Sequence, residues 1–172
     1  MTKKVKKIKN GVTVENIYFK VKDVLDTARA TAYKAVNFAM VQAYWNIGMI
    51  IVEEEQTGKK RAEYGKYIIN ELSKRLTQDF GKGFDKSNIW NMRQFYICFP
   101  ILDALRRELT WTHYRLLLRV QRQDARDFYT IETINNNWST RELERQINSL
   151  LFERLALSKD KKGVLKLAKK DM

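Results

Sequence analysis

Apolar residues recur along the chain at intervals of three or four, the period of an α-helix, and no segment alternates with the period of two that marks a β-strand. One such stripe consists of Val21, Val24, Ala28, Ala32, Ala35, Ala39, Ala43, Ile47 and Ile50. Its mean step of about 3.6 residues is that of a straight helix, whereas a coiled-coil seam runs nearer 3.5. Residues 15–56 are therefore predicted to form one long helix packed on the protein's own core, with dimerisation as the lesser alternative.

Five shorter helices are predicted after residue 57. The second helix covers 62–80 and ends at Gly81, because glycine accepts the left-handed conformation of a helix C-terminus. The remaining helices are predicted from about 85 to 99, over 113–120, over 124–136, and from a capping box at 139–142 onward. The fold class is all-α, with about six helices, and the order helix, glycine-containing turn, helix over 62–99 is that of a helix-turn-helix.

Composition narrows the class of protein further. The 172 residues include 7 Gly and 1 Pro, fewer than parallel α/β folds or β-sandwiches need. A single cysteine, Cys98, excludes an internal disulfide framework, and a single histidine, His113, leaves too few ligands for a structural zinc site. Without a secretory signal or a run resembling a membrane span, the chain is predicted to be soluble and cytoplasmic, with no membrane partner.

Catalytic constellations are not found in the sequence. A metal-dependent nuclease needs converging carboxylates, and Glu53, Glu54 and Glu55 splay around their helix instead. His113 begins a helix, where a lone histidine is more often a hydrogen-bonded structural residue than a catalytic base. The chain is therefore predicted not to be an enzyme by itself and to hold no metal or cofactor.

Most of the net charge of +13 lies near the two ends of the chain. Residues 1–10 carry five lysines, and residues 159–172 carry six lysines against two aspartates. The predicted organisation is a basic N-terminal tail (1–14), a helical domain (15–158) and a basic C-terminal tail or linker stump (159–172). Basic tails suit phosphate backbones, and solubility is the alternative explanation.

The second helix of the predicted helix-turn-helix carries a polar face that suits DNA. Its apolar stripe is Ile89, Met92, Tyr96 and Phe99, and the polar candidates are Ser87, Asn88, Asn91, Arg93 and Gln94. Asparagine and glutamine can bond adenine through two atoms, arginine can bond guanine, and serine can contact phosphate. Lys82 and Lys86 are candidates for phosphate contacts. An ordinary solvated helix face is the alternative.

A second basic series follows, formed by Arg115, Arg119, Arg122 and Arg126 at steps of 4, 3 and 4. These steps place the four guanidinium groups on one side if the helix is continuous, and guanidinium groups bond phosphates through two atoms. Salt bridges within the protein, to Asp124, Asp127 or Glu108, are the alternative.

Several short motifs together resemble the N-terminal domain of the YhcG family over roughly residues 18–158. They are Ala-Tyr-Trp-Asn-Ile-Gly at 43–48, Leu-Ser-Lys-Arg-Leu at 72–76, Asn-Met-Arg-Gln-Phe-Tyr at 91–96, Leu-Thr-Trp-Thr-His-Tyr at 109–114 and Trp-Ser-Thr-Arg-Glu-Leu at 138–143. The resemblance implies a helical, winged-helix-like DNA-binding domain. It also implies an association with a C-terminal PDDEXK-type nuclease domain, which this chain lacks.

Residues and resemblance together predict a DNA-binding module, acting on duplex DNA and normally associated with a PDDEXK-type nuclease domain. The alternative is a helical protein–protein interaction or dimerisation module without intrinsic DNA binding, for which a homodimer would be the simplest assembly.

Overall fold

A computed structural model describes residues 14–57, 61–160 and Ala168. Its helices are α1 (Val14–Thr57), α2 (Arg61–Phe80), α3 (Lys86–Cys98), α4 (Trp111–Leu117), α5 (Gln123–Asn135), α6 (Thr140–Asn148) and α7 (Leu151–Leu157). Within these described ranges there is no β-strand, so the all-α class is confirmed and the winged-helix-like centre is not. The predicted basic tails lie outside the described residues except at positions 14, 159, 160 and 168.

The last predicted helix is in fact two helices. The capping box that opens α6 is present, because the Ser139 side chain accepts from the Glu142 backbone and the Glu142 side chain accepts from the Ser139 backbone. Helix α6 ends at Asn148, and the chain then passes through Leu150, whose φ of 52° lies in the left-handed region. A leucine in that conformation cannot continue the α-helical ladder, and α7 begins at the next residue.

The chain divides into two compact units, up to Val36 and from Asn37 onward, and α1 contributes to both. Every residue from 14 to 36 is exposed, including Val21 at 51% and Val24 at 66%. The prediction that this part of the stripe packs on the protein's own core was wrong. The first buried residue of α1 is Val41. A helical period identifies an apolar face but does not determine what covers that face.

The composition of α1 also corrects the expectation about membrane spans. Residues 35–52 contain no Asp, Glu, Lys or Arg, and the helix reaches a mean hydropathy of 1.4 over a window of this length. By length and composition alone, α1 could therefore cross a membrane. The same segment supplies Val41, Trp45 and Ile51 to the core of the second unit, which a soluble core helix also does.

The core of the second unit consists of two hydrophobic clusters that share α1 and α3. The larger cluster joins Val41 of α1 and Phe95 of α3 to buried residues of the later helices. The smaller cluster joins Ile51 of α1, Ile69 of α2 and Ile89 of α3. Ala168 belongs to the larger cluster, and its carbonyl accepts a hydrogen bond from the Gln146 side chain. The α1–α3 pair is thus the common element of the core.

The contact between α1 and α3 is a close approach of backbones. A Cβ atom at Gly48 would lie 2.0 Å from the carbonyl oxygen of Met92 and 3.1 Å from Cβ of Tyr96. Glycine is therefore required at this crossing, because any side chain would separate the helices. One turn before it in α1, Trp45 Nε1 donates to the Phe99 carbonyl at 2.6 Å, which satisfies an otherwise unpaired carbonyl beyond the end of α3.

His113 is a structural residue, as predicted. Its Nδ1 accepts from the Thr110 backbone N–H at 3.1 Å, so the proton resides on Nε2, which donates to the Trp138 carbonyl at 3.1 Å. Burial lowers the pKa of His113 below its usual value because the charged ring would be desolvated. The neutral imidazole thus links the start of α4 to Trp138, two residues before α6.

Replacing Gly48 with alanine should destabilise the fold, since the new methyl group meets the backbone of α3 rather than a flexible side chain. We expect a loss of about 1–3 kcal/mol in the free energy of unfolding, measured by urea denaturation. Gly83→Ala is the matched control, because nothing lies within 4 Å of a Cβ atom at Gly83. Equal stability of the two variants would contradict the close approach.

Stability should fall as the pH is lowered through the titration range of His113. The pKa is lower in the folded state, so the unfolded chain binds a proton first, and stabilisation present above about pH 6.5 is lost below it. The check is the free energy of unfolding at pH 7.5 and pH 5.5. His113→Asn keeps an acceptor for the Thr110 N–H but cannot titrate, so its stability should change less over this range. Equal pH dependence of stability in the wild type and in His113→Asn would contradict the assignment of this effect to His113.

Candidate nucleic-acid interface

Helix α3 is fixed at its N-terminus by two side chains. The carboxylate of Asp85 caps the helix and accepts from the backbone N–H groups of Ser87 and Asn88 at 2.9 and 3.1 Å. The buried Asn88 amide donates to the Gly83 carbonyl at 2.6 Å and accepts from Trp111 Nε1 at 2.9 Å. Asn88, predicted to contact a base, thus uses its amide to hold the turn before α3 and the start of α4.

The outward face of α3 borders a cleft of about 410 Å³. The cleft is lined by Trp90, Asn91, Gln94 and Cys98 of α3, Arg115 of α4, Leu118, Arg119 and Gln121 of the following turn, and Arg126 of α5. The polar residues of α3 and the arginine series, which the sequence suggested separately, therefore line the same cleft. The lining contains three arginines and no carboxylate, a composition that favours an anionic ligand.

The arginine series does not lie on one continuous helix, as its spacing had assumed. Helix α4 ends at Leu117 and α5 begins at Gln123. Arg115, Arg119 and Arg126 nevertheless line the same cleft, whereas Arg122 is outside it. The turn between the helices is held by Arg126, whose guanidinium donates to the carbonyl of Val120 at 2.8 Å.

Four of the predicted arginines are engaged within the protein. Arg93 bonds both carboxylate oxygens of Glu55, with contacts of 2.7 to 2.9 Å. Arg119 pairs with Glu144 at 2.9 Å, Arg122 pairs with Asp124, and Arg126 is 6% exposed. Salt bridges within the protein, the alternative considered for the series, thus engage Arg122 with an expected partner and Arg119 with Glu144, which was not among the expected partners.

The other predicted residues have no side-chain hydrogen bond or ion pair anywhere in the described part of the chain. They are Lys82, Lys86, Ser87, Asn91, Gln94 and Arg115. Asn91, Gln94 and Arg115 line the cleft, and Lys86 and Ser87 line a neighbouring hollow of about 490 Å³ beside Asn70 of α2. These six side chains are available to a ligand.

Trp90 is an exposed aromatic residue of this surface that the sequence did not indicate as a binding residue. Trp45 and Trp138 lie in the core at 7% and 6% exposure, whereas Trp90 is 47% exposed. Trp90 borders both the cleft and the neighbouring hollow. Its position three residues after Ser87 and four before Gln94 places it on the polar face, a spacing that could have revealed it.

Metal ligation finds no support in the described ranges, where no three His, Cys, Asp or Glu residues are grouped suitably. The arrangement can bind anions and hydrogen-bonding groups, and it offers an aromatic face beside them.

Comparisons with known proteins identify the chain's relatives. The DUF1016 N-terminal domain matches residues 20–154. The chain is also 36% identical over 174 aligned positions to an Escherichia coli (strain K12) protein named "Putative nuclease YhcG". That alignment covers 83% of this chain and 46% of the relative, so the chain spans about half of the relative's length. The matched part is the relative's N-terminal region. No solved structure matches the chain.

Proposed function

The chain belongs to the family of the DUF1016 N-terminal domain, and from this membership we propose that it binds duplex DNA and thereby positions a nuclease domain. The matched relative is named as a nuclease, and this chain corresponds to the N-terminal part of it. In related proteins a C-terminal PDDEXK-type domain would supply the chemistry. The present chain would act as the non-enzymatic, DNA-binding part of such a system in the cytoplasm.

The observation that carries this proposal is the composition of the cleft. Three arginines and three side-chain amides line it without a carboxylate, although the chain contains 20 acidic residues. Arg115 is exposed and has no ion-pair partner among the described residues, so its guanidinium can bond a phosphate through two atoms. Asn91 and Gln94 would then face base edges, which side-chain amides read through paired donors and acceptors.

The start of α3 would extend this surface along a phosphate backbone. Lys82, Lys86 and Ser87 are exposed, and they surround the N-terminal turn of the helix. The Asp85 carboxylate already accepts from the backbone N–H groups of Ser87 and Asn88, so phosphate contacts here would come from the side chains. The proposed DNA contacts are therefore Lys82, Lys86, Ser87, Asn91, Gln94 and Arg115, with Arg119 as a further phosphate contact if it leaves Glu144.

Removing the charge of Arg115 should weaken DNA binding. We expect Arg115→Gln to lower affinity for a labelled duplex several-fold and to reduce the slope of log affinity against log salt by about 1, since one phosphate contact is lost. Fluorescence anisotropy at several salt concentrations measures both quantities. Arg122→Gln is the matched control, because Arg122 lies outside the cleft and pairs with Asp124. Equal losses of DNA affinity in Arg115→Gln and Arg122→Gln would contradict the assignment of Arg115 as a phosphate contact.

Two controls separate the cleft from the basic ends of the chain. Cys98 is the only cysteine and lines the cleft, so bound duplex should slow its reaction with thiol reagents. Replacing the five lysines of residues 1–10 with glutamine tests the N-terminal segment. The C-terminal end should not be deleted for this purpose, because Ala168 is buried in the core. Binding that disappears with the five lysines while Cys98 stays reactive would count against the cleft.

Self-association is a second candidate function, favoured by the exposed part of α1. Ten of its apolar residues, all exposed, lie within one arc of about 120° on a helical wheel, whereas Phe19, Ala30 and Tyr33 lie outside that arc. The ten are Val14, Ile17, Tyr18, Val21, Val24, Leu25, Ala28, Ala32, Ala35 and Val36. Seven of them, at 14, 18, 21, 25, 28, 32 and 35, alternate between steps of 4 and 3, which is a heptad seam. We propose that this seam pairs with a second copy of the chain.

Charges placed on the seam should abolish such a dimer. Val21→Glu with Leu25→Glu should give a monomer in sedimentation velocity, because each copy would bury two carboxylates without partners. The control is Phe19→Glu with Ala30→Glu, which places the same charges on the opposite, also exposed, face of α1. A wild-type chain that sediments as a monomer, or a control that dissociates equally, would contradict the proposal.

A further inference from the structure

The exposure of Trp90 is the feature of the cleft that duplex binding leaves unexplained. The indole is 47% exposed, and it borders a cleft of about 410 Å³ and a hollow of about 490 Å³. A duplex presents base edges in its grooves, while the flat faces of its bases are stacked on one another. An aromatic face therefore has little to contact on a fully paired duplex, whereas an unpaired base offers its own face for stacking.

An arginine that forms an ion pair with a second helix lies over the Trp90 ring. The guanidinium of Arg93 lies 5.0 Å from the centroid of the Trp90 ring. Arg93 is fixed in turn by Glu55 of α1, whose side chain is packed so closely against Gly65 that a Cβ there would lie 2.6 Å from Oε1. Much of the entropy of ordering Trp90 is thus lost on folding rather than on binding.

Hydrogen-bonding groups lie next to this aromatic face. The amides of Asn91 and Gln94 line the cleft with Trp90, and neither has a hydrogen-bond partner in the described residues. An aromatic ring beside free amides is the combination by which proteins hold a single base out of its stack. The cleft volume lies within the range of sites that take one small ligand.

We propose that this cleft captures one unpaired nucleobase, stacked on Trp90 and hydrogen-bonded by Asn91 and Gln94, with Arg115 on the adjoining phosphate. Arg93 and Glu55 are then positioning residues that hold the Trp90 ring. This inference rests on the proposed function and adds the class of substrate: DNA that contains an unpaired nucleotide.

The test compares three labelled DNA probes on the full chain by anisotropy. The first is a fully paired duplex, the second carries one extra unpaired adenine, and the third carries an abasic nucleotide at the same place. We expect the unpaired adenine to be bound about tenfold more tightly than the other two, the size of one aromatic stacking contact. The abasic probe has the same distorted backbone without a base to stack.

Variants of Trp90 assign the preference to the ring. Trp90→Leu should abolish the preference for the unpaired base but keep affinity for the paired duplex, and Trp90→Phe should keep part of the preference. 2-Aminopurine at the unpaired position should lose fluorescence on binding the wild-type and phenylalanine proteins, and should retain it with leucine. This optical signal reports stacking directly, and a purely structural role of Trp90 would not change it.

The outcomes distinguish the two proposals. Equal wild-type affinity for all three probes would overturn the capture of a base and leave duplex binding intact. A preference that persists in Trp90→Leu would overturn the role of the ring. Absence of binding to every probe would overturn the proposed function together with this inference.

Discussion

The close crossing of α1 and α3 at Gly48 is the constraint on which the second unit depends. Only a residue without a side chain allows the Met92 carbonyl to lie against α1, and this contact sets the distance between the helices. Hydrophobic contacts on both sides of the crossing extend into the two core clusters. The Glu55–Arg93 ion pair then lies near one end of the contact and the Trp45–Phe99 hydrogen bond near the other. The orientation of α3, and with it the polar face, follows from this crossing.

Folding divides the polar residues of this surface into two groups. Asn88, Arg93 and Arg126 bond carbonyls or carboxylates within the protein and so hold the turns and helices that form the cleft. Asn91 and Arg115 remain without such partners in the described part of the chain. A buried or half-buried guanidinium without a partner would be costly, so residues of the first group have a structural reason to be polar. Residues of the second group have none, which is why they are assigned to a ligand.

Helix α1 shows how far hydrophobic period can be interpreted. One stripe of apolar residues runs along the helix, yet the first 23 residues are all exposed, and buried residues such as Val41, Trp45 and Ile51 occur only in its second half. Exposed apolar surface on this scale marks a contact with another molecule more often than a solvated helix. The same helix would thus contribute to two interfaces, an internal one around Gly48 and an external one along its heptad seam.

The sequence by itself determined the helices, because caps and apolar periods act within a few residues. Asp85, the Ser139–Glu142 box and the glycine after α2 fix helix ends locally, and the expected boundaries of α1 to α3 lie within one or two residues of those observed. Tertiary structure decided which side chains of different helices meet, pair or stay exposed. The meeting of the α3 polar face with Arg115 and Arg126 at one cleft, the pairing of Arg93 with Glu55 and the exposure of Trp90 depend on groups distant in sequence. Their energies come from burial and ion pairing between helices, which no local pattern specifies.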